Sequence, residues 1–150
     1  LLVLFSKEPD RIPINAQEDR SQFNRNKGEK VLYFEIAEEN KFEEQIKTSD
    51  IIYFRGGSTE RIINKLMQYR GFKNLLKNKI IGAESAGVNA LSTCCFSFKL
   101  GKIFNGLGVI PYKVICHFDE YKKDKLDGVS NNLKQLNLKE YEYTVLKQDL

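Results

Sequence analysis

The chain is poor in the residues that metal and disulfide proteins are built from. It holds one histidine, His117, and three cysteines, Cys94, Cys95 and Cys116. A single imidazole excludes a histidine-rich metal site. An odd cysteine count, with two adjacent, argues against a disulfide framework and for a reducing, cytoplasmic compartment. No apolar run approaches the roughly 20 residues of a membrane span, and no secretory pattern of basic start, apolar stretch and small-residue cleavage site is present. The net charge of +4 comes from 24 basic and 20 acidic residues mixed along the chain. With no dense basic block, the sequence carries no nucleic-acid footprint. Neither repeats nor low-complexity stretches nor a long linker divide it.

What is present suits one domain: 150 residues, 41% of them hydrophobic, enough for a real core. Strand-like segments read at Leu1–Phe5, Val31–Ile36, Ile51–Phe54, Ile80–Ile81, Tyr112–Phe118 and Tyr141–Leu146. Helix-like segments read at Ala16–Asn26, Glu38–Lys47, after Ser58-Thr59, around Phe72–Leu76 and after Ser85, the last carrying Val88, Leu91 and Cys95. Phe96 to Gly108 reads as irregular, and Leu133, Leu136 and Leu138 as a short helix or loop. Strands alternating with helices predict an α/β fold with a mostly parallel sheet and helices on both faces. In such sheets functional groups gather at the carboxyl ends of the strands, where Gly56-Gly57, Ser85 and His117 all fall.

The most informative stretch is Ile80-Ile81-Gly82-Ala83-Glu84-Ser85-Ala86-Gly87-Val88-Asn89. It predicts a strand, a sharp turn through small residues and a helix, with a serine hydroxyl at the apex. A serine needs a base to take its proton, and His117 is the only histidine available. The Ala86 N–H, just after the serine, and the Gly57 N–H are candidate donors to an oxyanion. Gly56-Gly57 also fits a plain tight turn, and His117 a strand histidine bonded to backbone. A phosphate loop is disfavoured because no Gly-Lys-Ser/Thr follows. Asp119, Glu120, Asp124, Asp127, Glu140, Glu142 and Asp149 all lie downstream as possible partners for the histidine, and chemistry alone does not choose among them. Cys94 and Cys95 read as small core residues on a helix.

Three stretches together resemble the peptidase E family of serine peptidases, which includes aspartyl dipeptidase and cyanophycinase. They are Ile51 to Thr59, Ile81 to Asn89, and Gly106-Leu107-Gly108-Val109-Ile110-Pro111 leading to Cys116-His117-Phe118. The resemblance covers roughly residues 30 to 150. It implies a fold like the class I glutamine amidotransferases, of flavodoxin-like type, and a peptidase acting on short peptides without cofactor or metal. Ser85 would be nucleophile, His117 general base, Asp149 the aligned acid, and Gly57 with Ala86 the oxyanion hole. Ser58 stands where the family usually has Asn, and Ala83 where it has Gly. No arginine follows Arg70, so the arginine associated with the family's preference for N-terminal Asp has no counterpart. The family's opening and final segments are absent or shortened, and the chain is expected to be incomplete at one or both ends. A catalytically silent binding domain on the same fold is the alternative of a different class. An α/β-hydrolase esterase is a weaker one, since its acid precedes its histidine. No sequence feature marks a subunit interface.

Overall fold

A computed structural model describes residues 1–147. β1 (Leu2–Val3) leads through a 3-10 turn into α1 (Ile12–Asn26). Next come α2 (Phe42–Thr48), β2 (Ile51–Phe54), α3 (Thr59–Leu66), α4 (Phe72–Leu75), β3 (Ile80–Ala83) and α5 (Ala86–Leu91). The remainder is β4 (Cys94–Ser97), β5 (Lys102–Asn105), β6 (Tyr112–Cys116) and β7 (Lys134–Leu138). The fold is mixed α/β with mostly parallel pairing. The strands form two sheets: β1-β2-β3, all parallel, and β5-β4-β6-β7, in which only β4 and β5 run antiparallel.

Period-two alternation explains how the first sheet is covered. Val3 and Phe5 face the main core with Ile52, Phe54, Ile62, Leu66 and Leu76, beneath α2, α3 and α5. Leu2 and Leu4 face the other way, onto Ala16 and Phe23 of α1. In the second sheet Val114 and Cys116 pack with Cys95, while Ile115 packs with Phe96 and Leu126 on the opposite side.

Five expectations differ. Val31–Ile36 is not a strand: it contributes a single bridge, Leu2 to Ile36, and Val31 and Tyr33 lie exposed. β1 has only two residues to offer on that edge. Cys94 and Cys95 are on β4, because α5 ends at Ser92, whose hydroxyl donates to Asn89 O and Cys94 O. Cys94 to Ser97 is buried throughout, and a short apolar run has no periodicity to separate helix from strand. The segment read as irregular therefore holds a β4–β5 hairpin, which turns through Gly101 at φ 61°. Leu136 and Leu138, two apart, are strand residues of β7. The last strand thus ends before Tyr141, whose φ of 63° breaks the extended run of strand formers that follows.

Phe54 is fully buried, with its ring edge-on to Phe72 at 6.0 Å between centroids. Phe54→Ala is expected to cost about 3–5 kcal/mol, read as a lower midpoint of urea unfolding with an unchanged slope.

Candidate active site

Parallel pairing brings the carboxyl ends of β1, β2 and β3 side by side, and Cys116 at the end of β6 lies against the turn after β3, its Sγ 3.5 Å from Ser85 O. Ser85 directly follows Glu84 at the end of β3 with φ 45° and ψ −109°, a conformation that L residues adopt only when their surroundings impose it. The surroundings are tight. A Cβ on Gly87 would lie 2.2 Å from Phe54 O, and one on Gly56 would lie 3.1 Å from the Ser85 Cβ. The start of α5 is therefore pressed against the end of β2, and only glycine fits at position 87.

His117 directly follows β6 and also has a positive φ, 53°. Ser85 Oγ lies 2.8 Å from His117 Nε2. On the other side of the ring Nδ1 meets Glu140 Oε1. A carboxylate can only accept, so Nδ1 carries the proton and Nε2 is left to accept from the serine hydroxyl. All three side chains are open to solvent, that of His117 about half exposed. The arrangement can move a proton from Oγ to the imidazole while a carboxylate stabilises the charge that forms.

Asp149 lies outside the described residues. Glu140 is among the downstream acids considered above. It lies two residues beyond β7, whose end at Leu138 comes before the strand expected over Tyr141–Leu146.

Around the glycine pair the backbone is held by contacts that the sequence did not advertise. Ser6, just past β1, donates its hydroxyl to Arg55 O and Gly56 O, both at 2.8 Å, and its own carbonyl accepts from Ser58 N–H at 2.9 Å. Gly57 has φ 152°, and a Cβ there would sit 2.7 Å from Ser6 O. The Gly56 N–H donates to Glu84 Oε1 at 3.0 Å. Among the described residues neither Gly57 N–H nor Ala86 N–H donates a hydrogen bond. Ser58 caps α3 by accepting from Arg61 N–H.

Beside this edge Arg55 is bound by Asp19, Glu18 and Asn15 O of α1, with Glu84 3.8 Å from its Nε. Burial holds the Asp19 carboxyl above its ordinary range, opposed by the Arg55 guanidinium. Burial, with Glu84 next to it, likewise raises the Tyr53 phenol. Arg55 is thus committed to a structural network tying α1 to the strand ends. No cluster of three metal-binding side chains occurs among the described residues, nor does a helix long and apolar enough to cross a membrane.

With this geometry in view, one solved structure is informative. A peptidase from an acI-B1 Actinobacterium superposes with a TM-score of 0.59 and 24% sequence identity, over 86% of this chain and 58% of that one. The chain has the fold of a peptidase. It spans little more than half the length of that protein. Neither a protein-family model nor a curated protein matches the chain.

Two outcomes follow from the packing. Gly87→Ala is expected to destabilise the protein by about 2–4 kcal/mol, because the clash is with backbone that cannot turn aside; thermal unfolding measures it. The second concerns the thiols. Burial pushes Cys95 and Cys116 from 9.0 up to about 12, so at pH 8 about one in ten thousand is ionised. Both should resist a thiol-disulfide reagent in the native state and react on unfolding. The fold favours the neutral thiols, so their contribution to stability is complete below pH 9 and is lost as the pH climbs from 9 towards 12.

Proposed function

We propose that this chain is a serine peptidase domain of the peptidase E type, with a class I glutamine amidotransferase-like fold, that hydrolyses short peptides such as dipeptides. The observation that carries the reading is the relay Ser85 Oγ, His117, Glu140; the Gly57 and Ala86 N–H groups, neither of which donates a hydrogen bond among the described residues, are assigned to the oxyanion. Ser85 is the nucleophile. As its Oγ bonds to the substrate carbonyl carbon, its proton passes to His117 Nε2. The carbonyl oxygen becomes an oxyanion received by Gly57 and Ala86 N–H. The tetrahedral species collapses as the imidazolium gives that proton to the departing amine. Water, deprotonated by the same Nε2, then releases the acyl group. Glu140 holds the Nδ1–H throughout and stabilises the imidazolium. The order serine, histidine, acid along the chain disfavours an α/β-hydrolase esterase, in which the acid precedes the histidine. Three free cysteines support a cytoplasmic assignment.

An active-site fluorophosphonate probe tests the proposal. Wild type is expected to label at one site. Ser85→Ala should abolish labelling, and His117→Ala should slow it by at least about 10³-fold. Glu140→Ala is expected to slow it about 10²-fold or more, with Asp149→Asn near wild type; the reverse ranking would return the acid role to Asp149. A folded wild type that does not label would make the chain a binding domain on a peptidase fold.

A further inference from the structure

Lys122 has a buried side chain, 5% exposed, between the exposed residues Tyr121 and Lys123. Its ammonium donates to the backbone carbonyl of His117, and Asp119 Oδ2 lies 3.4 Å away. The rings of Phe98 and Tyr121 stand 4.2 and 5.0 Å from Nζ, centroid to nitrogen, and pack edge to face on each other. Taking an ammonium out of water is unfavourable unless acceptors and aromatic faces replace its hydration. Here the two rings and Asp119 gather around the ammonium, and its hydrogen bond goes to the carbonyl of a residue with φ 53°.

That carbonyl matters because of where His117 sits. β6 pairs with β7 through Cys116 and Leu138, and the ladder resumes when Phe118 N–H donates to Leu138 O at 2.9 Å. Between these points the chain makes a left-handed step that swings the imidazole out of the sheet towards Ser85. A histidine at positive φ relaxes to an extended conformation unless its flanking peptide groups are held. The Phe118 N–H is held by β7. The carbonyl between His117 and Phe118 is held by Lys122.

Resting on the peptidase reading above, we propose that Lys122 is a positioning residue for the reaction: by binding the His117 carbonyl it fixes the left-handed step that aims the imidazole between Ser85 and Glu140. It touches neither substrate nor the reacting atoms. The Phe98–Tyr121 pair, though both residues are themselves exposed, screens the ammonium with its ring faces, and the β4–β5 hairpin that carries Phe98 is thereby tied to the catalytic edge.

The lone histidine makes a direct test possible, since every imidazole resonance of the chain belongs to position 117. Lys122→Met keeps the apolar stem and removes the donor; Lys122→Arg keeps a donor. In Lys122→Met the imidazole nitrogen and ring-proton resonances should shift and the Nδ1 proton should exchange faster. Fluorophosphonate labelling should slow about 100-fold in its maximal rate, with the probe concentration for half-maximal rate unchanged. Lys122→Arg should recover the wild-type resonances and most of the rate. Should Lys122→Met fail to fold, Asp119→Asn, on the exposed loop, loosens the same ammonium and should move the resonances and the rate in the same direction by less. Wild-type resonances and rate in the folded variant would overturn the proposal, as would a loss confined to thermal stability. If wild type does not label and the resonances still move in Lys122→Met, the peptidase reading fails while the positioning of His117 stands.

Discussion

The whole edge depends on one close approach, that of the first turn of α5 against the end of β2. Gly87 has no room for a side chain over Phe54 O, and a Cβ on Gly56 would crowd the Ser85 Cβ at 3.1 Å. This contact forces the chain to reverse within Glu84 and Ser85, and the reversal is what puts Ser85 at φ 45°. Such a conformation costs of order 1–3 kcal/mol. It persists because the core beneath it is dense: Phe54, Ile62, Leu66, Ala86 and Ala90 all lie in one buried cluster. Relaxing Ser85 would mean lifting α5 off that cluster. Core packing and hydroxyl presentation are therefore one constraint, and the strain is local to the residue whose side chain must stand clear of both strand and helix.

Parallel pairing turns that local constraint into a site. Because β1, β2 and β3 run the same way, Ser6, Gly56 and Ser85 leave their strands at one edge, close enough for side chains to bridge. Ser6 fastens the Arg55–Ser58 backbone from one side, and Glu84 fastens Gly56 from the other. The peptide group that carries the Gly57 N–H is thus held on both flanks, its carbonyl by Ser6 and the preceding N–H by Glu84. The Arg55 network with Asp19 and Glu18 anchors the same loop to α1.

The parts legible in the sequence were those that rest on short-range rules. The small-Ser-small turn after Ile80-Ile81, the strand Ile51–Phe54 and the lone histidine each follow from local sterics or composition, and the structure brings Ser85 and His117 within hydrogen-bond distance. Elements defined by tertiary contact were not legible. Cys94 to Ser97 is buried on both faces, so it carries no period. Tyr141 to Leu146 has the composition of a strand and no partner strand among the described residues. Ser6 and Lys122 act through backbone atoms of residues 49 and 5 positions away, respectively, along the chain. A hydroxyl or an ammonium that serves a distant carbonyl leaves no spacing pattern to read.

The third member of the relay shows how register, rather than residue type, selects a partner. β6 and β7 are parallel with Cys116 opposite Leu138, which sets His117 level with Lys139. The left-handed step at His117 takes its side chain out of the strand alternation, so its ring is met from just past the end of β7 and not by a ladder partner. Glu140, two residues beyond Leu138, supplies the carboxylate on Nδ1. Its side chain is largely exposed, so its hold on Nδ1 depends on geometry more than on a low local dielectric. An acid farther from β7 along the chain would need an intervening stretch to fold back over the same ring, whereas Glu140 reaches it directly from the end of the strand that pairs with β6.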